Sequence, residues 1–308
     1  MIESFSFDKR TGLVVPAKSL AKADWIRLGL PTVAEMEFVE EEFGIPLSFA
    51  KAALDEDEHP RIETENGLTL ILVKVPRPAP VEMESSTIPL AFILSKDKVF
   101  TVSLRKTGIF DTVLKKRPYL LAKKKGLVIK ALSVIGKEFN KRLDRIDKEV
   151  DRLENDVRFA LKNKEVIRLL KIQKELVYFN KALIANKKIL ERIDGGHVFS
   201  VDKAEDEILE DAISEINQAL DETAIYSSIL SNTMDAYVSI ISNNLNEVMK
   251  LLTIVTILIS IPATFFNFFG MNLLIPLANS PGGAMMVLAI SCALALASLV
   301  YFRKRGWV

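Results

Sequence analysis

The chain is poor in the residues that staple or punctuate a fold. Its 308 residues include one cysteine, Cys292, so no disulfide can form within the chain, and an oxidising compartment is not implied. Its two histidines, His59 and His197, lie far apart, which excludes a histidine-rich metal cluster. No proline stands between Pro118 and Pro262, and no glycine between Gly196 and Gly270. The largest absence is of charge. The 52 residues from Leu251 to Phe302 contain no Lys, Arg, Asp, Glu or His. A single soluble globule, a disordered chain and a disulfide framework are all incompatible with that distribution. The formal net charge of +1 is therefore an average over unlike parts. The first ten residues carry no apolar core of signal-peptide length, so membrane insertion is expected to be directed by the C-terminal block. No nucleotide-binding loop or Ser-His-Asp pattern is visible, and an enzyme is not expected.

A spanning helix needs about 20 apolar residues, so the uncharged block has room for two spans and a link. Residues 251–269 read as the first span and 284–302 as the second. The link, 270–283, holds Gly270, Pro276, Pro281, Gly282 and Gly283, which are turn residues. The tail, 303–308, begins Arg303-Lys304-Arg305 and contains Trp307, a basic and aromatic pairing typical of the cytoplasmic interface. Two spans put both chain ends on that side. The expected location is a cell membrane (inner or plasma), multi-pass, with residues 1–250 in the cytoplasm and the link outside.

The missing proline and glycine allow one helix to run from about Asp202 to Phe269, from water into the bilayer. Along its cytoplasmic stalk, 201–250, apolar residues recur at Leu209, Ile213, Ile216, Leu220, Leu230, Met234, Tyr237, Ile241 and Leu245. Thr223 and Ser227 are weak positions in the same seam. The spacing is that of a coiled coil, and self-association is the natural way to bury it. Within the first span Thr253, Thr256, Ser260, Thr264 and Asn267 fall in an arc of about 80°, and Asn246 continues the stripe below the membrane. Val255, Leu258, Phe265, Phe266 and Phe269 lie opposite. Such a stripe serves either as hydrogen-bonding glue between helices or as the lining of a pore in an oligomer. Pro262 lies on the far side and frees the carbonyl of Leu258.

Residues 1–126 mix short apolar runs with Pro and Gly. Strands are expected at Gly67–Val75, Ile88–Leu94 and Lys98–Leu104, and an acidic helix at Val33–Phe43, in an α/β domain. Residues 127–200 read as two long antiparallel helices. The first, 127–161, has apolar positions at 132, 135, 139, 143, 146, 150, 153, 157 and 161. The second runs from Lys164 to Ile193 and ends at Asp194-Gly195-Gly196. Residues 98–192 carry 26 basic and 11 acidic side chains, whereas 201–250 carry 2 basic and 11 acidic. Packing of the basic helices near the acidic stalk accounts for this segregation. No nucleic-acid motif accompanies the basic stretch, and nucleic acid is not an expected partner.

The first span closes on Phe268-Phe269-Gly270-Met271-Asn272, after a helix containing Asn246-Glu247-Val248-Met249-Lys250. This constellation resembles the CorA family of magnesium transport proteins. The likeness extends to Tyr301-Phe302-Arg303-Lys304-Arg305-Gly306-Trp307 at the end. It also extends to Trp25-Ile26-Arg27-Leu28, Pro31-Thr32, Glu41-Glu42-Phe43-Gly44-Ile45-Pro46 and His59-Pro60-Arg61-Ile62-Glu63 near the start. The resemblance implies a funnel-shaped homopentamer in the lipid bilayer, with an α/β cytoplasmic domain, a long helical stalk and two C-terminal transmembrane helices. It implies a channel for hydrated Mg²⁺, with Co²⁺ and Ni²⁺ not excluded. Gly270, Met271 and Asn272 would form the outer mouth. Asn246, Met249, Leu252, Thr253, Thr256, Ser260, Thr264 and Asn267 would face the pore. Mg²⁺ keeps its octahedral waters reluctantly exchangeable, and a ring of neutral amides can bind those waters and release the ion again.

The resemblance also implies Mg²⁺ as a regulatory ligand, held between neighbouring cytoplasmic domains and keeping the pore closed. Asp211 matches the stalk acid of that site, with Glu207 and Glu210 beside it. The opposing acid is missing, since that helix reads Leu47-Ser48-Phe49-Ala50-Lys51-Ala52; Asp55 and Asp57 follow and could substitute. Phe269 stands where the family usually has Tyr. The outer loop, 273–281, contains no acid. Ser260 stands at an apolar gate position of some relatives, which leaves Met249 and Leu252 as constriction candidates. Two alternatives remain open: transport of zinc or another divalent cation on the same fold, and a membrane-anchored coiled-coil scaffold without transport.

Overall fold

The computed structural model describes residues 1–8, 14–78, 86–115, 123–157, 163–271 and 282–307. They form two compact units, Met1–Asn232 and the residues from Thr233 onward. The first unit is built on a seven-stranded sheet in the order β2-β1-β3-β7-β6-β5-β4. Its strands are β1 Ile2–Phe7, β2 Val14–Pro16, β3 Trp25–Gly29, β4 Arg61–Glu65, β5 Leu68–Pro76, β6 Thr87–Leu94 and β7 Val99–Ser103. Only β3 and β7 pair in parallel. The expected strands over Gly67–Val75, Ile88–Leu94 and Lys98–Leu104 are β5, β6 and β7.

Helices cover both faces of the sheet, so its central strands are apolar on both sides rather than alternating. One face buries Ile26, Leu28, Leu70, Leu72, Ile93, Phe100 and Val102 with Val39 of α1 (Val33–Phe43) and Phe49 of α2 (Leu47–Ala52). The intervening residues Trp25, Ile71, Val73, Leu90 and Phe92 are buried on the other face. There Trp25 stacks on Phe5 and tilts against Phe110 of α3 (Ile109–Lys115). Its indole N–H donates to Thr101 Oγ1 at 3.0 Å.

Local chemistry sets the boundaries. Thr32 and Glu35 form a reciprocal capping box at the start of α1, and Gly44 closes that helix at φ 66°. Asn66 and Gly67 take φ 50° and 77°, the two left-handed residues of a tight hairpin turn joining β4 to β5. β5 outruns β4, whose last partner toward the C-terminus of β5 is Leu72. The backbone of Lys74 would therefore be left open on that side. The Asn186 side chain closes it, accepting from Lys74 N at 3.0 Å and donating to Lys74 O at 2.7 Å. Pro89 lies one residue beyond the last β6–β7 pair, Leu90 opposite Ser103, so its missing N–H deprives no acceptor on β7.

Asn186 belongs to α5 (Asn163–Asp194), which runs beside α4 (Lys124–Val157). On α4 the residues Leu132, Ile135, Phe139, Leu143, Ile146, Val150 and Leu153 are buried, following the expected period. The expected positions 157 and 161 fall outside the described side chains. Phe139 meets Phe179 edge-on, and Arg142 holds Glu175 with two nitrogens at 2.7 and 3.3 Å. The next helix, α6 (Lys203–Phe269), starts at an Asp202 cap that accepts from Ala204 N and Glu205 N while Glu205 accepts from Asp202 N. It contains 67 residues, about 100 Å of uninterrupted helix.

One expectation is corrected here. The first part of the stalk seam does not wait for another subunit. Leu209, Ala212, Ile216, Ala219, Thr223 and Leu230 are buried within the chain. Their cover includes α4: Asn140 Nδ2 donates to Glu215 O and Oε2, Lys137 pairs with Glu215 at 3.6 Å, and a Cβ at Gly136 would stand 2.8 Å from Glu215 Cβ. Desolvation, followed by the nearby carboxylates of Asp147, Glu222, Asp144 and Asp151, holds the Tyr226 hydroxyl above its usual pKa. Farther along, Ile241 and Leu245 are exposed.

Asn186→Leu should strand the buried N–H and C=O of Lys74 and lower stability by about 2–3 kcal/mol. The check is a lower unfolding temperature for the first unit, followed by circular dichroism; an unchanged transition would contradict the role given to this amide.

Candidate functional site: a polar face on a membrane helix

The second unit contains the end of α6 and α7 (Gly283–Lys304). Both helices are long and apolar enough to cross a membrane. The most apolar stretch of α6 is 6% buried and that of α7 is 11% buried, so neither is a core helix of a water-soluble fold. Ile254 of α6 and Gly283, Val287 and Ser291 of α7 are the buried positions among the described residues of these spans. The α7 positions recur every four residues, which places them on one face.

α7 ends in a closed turn. Gly306 adopts φ 69°, and Trp307 N donates to Phe302 O at 3.1 Å. This is a Schellman closure, and its usual apolar contact is present: Trp307 stacks on Phe302 with centroids 5.5 Å apart. Arg305 lies over the Tyr301 ring at 5.8 Å. An amphipathic cluster of this kind suits the headgroup layer.

The residues expected to line a pore are all on α6, and all are exposed in the single chain: Asn246, Met249, Leu252, Thr253, Thr256, Ser260, Thr264 and Asn267. Three of the hydroxyls are bonded within the helix. Thr253 donates to Met249 O at 2.8 Å, Thr256 to Leu252 O at 2.7 Å and Thr264 to Ser260 O at 2.8 Å. Pro262 is accommodated inside the helix without ending it. The helix closes at Gly270, whose N–H reaches Phe266 O at 2.9 Å, and a Cβ at Gly270 would crowd that same oxygen at 3.0 Å. Met271 follows and is exposed. Asn272 and the rest of the link to Pro281 lie outside the described residues.

The residues expected to bind a regulatory metal are in the first unit. Glu207, Glu210 and Asp211 are exposed and share one side of α6. Asp55 and Asp57 are exposed in the turn after α2, where Asp55 accepts from Asp57 N at 3.0 Å. Within one chain, no group of three or more His, Cys, Asp or Glu side chains among the described residues is placed to hold a metal ion. Lys51 is exposed and Ala52 buried at the positions where an acid was expected.

Sequence reasoning missed Gly136, where α4 approaches α6 too closely for a Cβ. The available signal was a lone glycine inside a strong helical period. It also missed β4, although Asn66-Gly67 marks a hairpin.

Comparison with known proteins brings these features together. Residues 21–304 match the family described as CorA-like Mg²⁺ transporter protein. The cobalt/magnesium transport protein CorA of Methanocaldococcus jannaschii is 27% identical over 291 residues, covering 92% of this chain and 91% of that protein. The protein of the same name from Thermotoga maritima is 26% identical over 317 residues, covering 100% of this chain and 90% of the relative. The complete structure of the CorA magnesium transporter from M. jannaschii superposes with a TM-score of 0.81 at 25% identity, covering 100% of this chain and 98% of that one. The full-length CmaX protein shares the fold, at a TM-score of 0.74 and 16% identity. With its α/β domain, its 67-residue helix and its C-terminal pair of membrane helices, the chain belongs to the CorA-like Mg²⁺ transporter family.

Proposed function

We propose that this chain assembles as a homopentamer in the cell membrane and conducts hydrated Mg²⁺ into the cytoplasm. The observation that carries the reading is the polar face of α6: five hydroxyl and amide residues within one arc of an otherwise uncharged span, leading to Gly270-Met271-Asn272. The relatives from M. jannaschii and T. maritima are named as cobalt/magnesium transport proteins, which supports the same class of cargo. In the assembled form the stripe lines a central pore, α7 faces lipid around it, and both termini are cytoplasmic.

The chemistry follows from the donors available. Asn272 amides at the outer mouth accept hydrogen bonds from the first-shell waters of the ion. Mg²⁺ gives up those waters slowly, so a filter that reads the hydrated ion avoids the dehydration cost. The absence of Asp and Glu from the pore segment keeps binding weak enough for release. Below the threonines, Met249 and Leu252 supply the apolar constriction. Cytoplasmic Mg²⁺ bound between subunits, with Asp211, Glu207 and Glu210 on one side and Asp55 and Asp57 on the other, holds the pore shut. Loss of that ion leaves facing carboxylates that repel, and the pore loosens.

Three measurements test this. In liposomes loaded with a Mg²⁺-sensitive dye, the wild type should show flux, and Asn272→Ala should reduce it by about tenfold or more. Equal flux in the two proteins removes Asn272 from the mouth, and no wild-type flux favours a scaffold without transport. In a Cys292→Ser background, single cysteines at 256, 260 and 264 should react with a water-soluble thiol reagent while cysteines at 255 and 258 should not. Equal reactivity on both faces would overturn the pore lining. Mg²⁺ should protect the wild type against limited proteolysis, and Asp211→Ala should shift that protection to higher Mg²⁺; unchanged protection would remove Asp211 from the sensor.

A further inference from the structure

One face of α5 borders a hollow of about 420 Å³ that β4 and β5 help to enclose, a size in the range of small-molecule sites. Its interior is apolar, contributed by Pro60, Ile62, Ala182 and Ile189. Its rim is basic. Lys181, Lys188 and Arg192 recur at seven and four residues, hence on one side of the helix. None of the three has an ion-pair partner within 4.0 Å among the described residues. Tyr178 stands one turn before Lys181 and adds an aromatic ring to the wall.

A further cation enters from the sheet, besides Arg61, which is paired with Glu58 and Glu63. Lys74 is 8% exposed, and its ammonium donates to the backbone carbonyl of Glu56. Desolvation depresses its pKa, against the pull of Asp57, Asp55 and Glu56, and the charge of Lys181 pushes the same way as desolvation. The acids nearby do not neutralise the rim. The Glu56 carboxylate is committed to Arg77 at 2.5 Å, which leaves Asp57 as the other carboxylate on the wall.

A ligand that suits this lining has a flat, partly apolar body and one strongly anionic end. Inorganic phosphate would satisfy the rim and leave the apolar interior empty; a neutral base would do the reverse. We propose that the pocket binds a nucleoside monophosphate, its phosphate held by Lys181, Lys188 and Arg192 and its base laid against Tyr178, Ile62 and Ile189. Asp57 is placed to accept hydrogen bonds from the sugar or the base. The site lies wholly within the first unit and shares Asp57 with the proposed regulatory Mg²⁺ site, so the nucleotide is titrated without Mg²⁺.

The test is isothermal titration calorimetry on the full-length protein in detergent micelles, in Mg²⁺-free buffer with chelator. Adenosine monophosphate, inorganic phosphate and adenosine are titrated separately. Adenosine monophosphate should bind with a submillimolar Kd, phosphate about tenfold more weakly or worse, and adenosine without detectable heat. The double variant Lys181→Gln/Lys188→Gln should weaken the nucleotide by about a hundredfold, tenfold for each lost charge-assisted hydrogen bond. Both lysines are exposed, so an unchanged melting temperature will show that the variant is folded; Lys188→Gln alone provides a second reading. The proposal fails if the nucleotide gives no heat at millimolar concentration, if phosphate binds as tightly, or if the variants bind like the wild type.

Discussion

The close approach of α4 and α6 at Gly136 and Glu215 is the constraint on which the arrangement of the first unit's long helices depends. A long amphipathic helix in water must cover its apolar side, and α6 covers the first half of its seam within its own chain. That contact needs a residue without a side chain at 136, because any Cβ there would meet the Cβ of Glu215. It also needs the Asn140 amide, which satisfies both the backbone and the side chain of Glu215. An Arg142–Glu175 pair and the Phe139–Phe179 contact then hold α5 to the same α4. α5 in turn reaches the sheet through Asn186. Each link uses a different residue type, and each is local to one helix pair or to one strand.

The intrachain cover of α6 divides the seam by partner. Up to Leu230 the apolar stripe is occupied, so any contact between subunits there must use another face of the helix. That other face carries Glu207, Glu210 and Asp211, which are exposed. An acidic face turned outward is suited to a bridging dication and unsuited to direct packing, since like charges would repel. Tyr237 is the last buried residue of that stripe before the membrane span, and beyond it the situation reverses. Ile241, Leu245 and Val248 are exposed apolar residues, and an apolar surface packed against them would gain about 25 cal/mol per Å² buried.

The long helices were legible because punctuation is a one-dimensional signal. The absence of Pro and Gly bounded α6, and the apolar period of α4 predicted its buried side from Leu132 to Leu153. The strands other than β5, β6 and β7 were not legible. β3 is Trp25-Ile26-Arg27-Leu28-Gly29, five residues with a charge in the middle, and its parallel partner β7 begins at Val99. Arg27 is tolerated because it lies over the Phe110 ring and pairs with Glu3, partners distant in sequence or on another strand. Periodicity marks which side of α6 is buried and says nothing of what covers it, so α4 could not be told from a second subunit. The basic rim on α5 was invisible for a related reason: Lys181, Lys188 and Arg192 read as a solvated face until Ile62 and Pro60 are seen to close the hollow beneath them.

The polar stripe of the membrane span owes its meaning to its amides more than to its hydroxyls. A threonine whose hydroxyl already donates to the carbonyl four residues earlier has met its main requirement inside the helix, and Thr253, Thr256 and Thr264 all do so. Such residues tolerate lipid, a packed helix or water. An asparagine amide has two N–H donors and a carbonyl oxygen, more than one turn of helix can satisfy. Left unpaired in hydrocarbon, such an amide costs several kcal/mol. Asn267, near the C-terminal end of α6, therefore constrains the orientation of the span more strongly than the three threonines together. Asn246 lies on the same side of the helix but outside the uncharged stretch, where water can satisfy its amide. Between the two amides the threonine hydroxyls keep oxygen lone pairs free along the same face, and a hydrated cation needs acceptors for its outward-pointing water protons. The stripe thus combines a face fixed by Asn267 with threonines that present acceptors without charge.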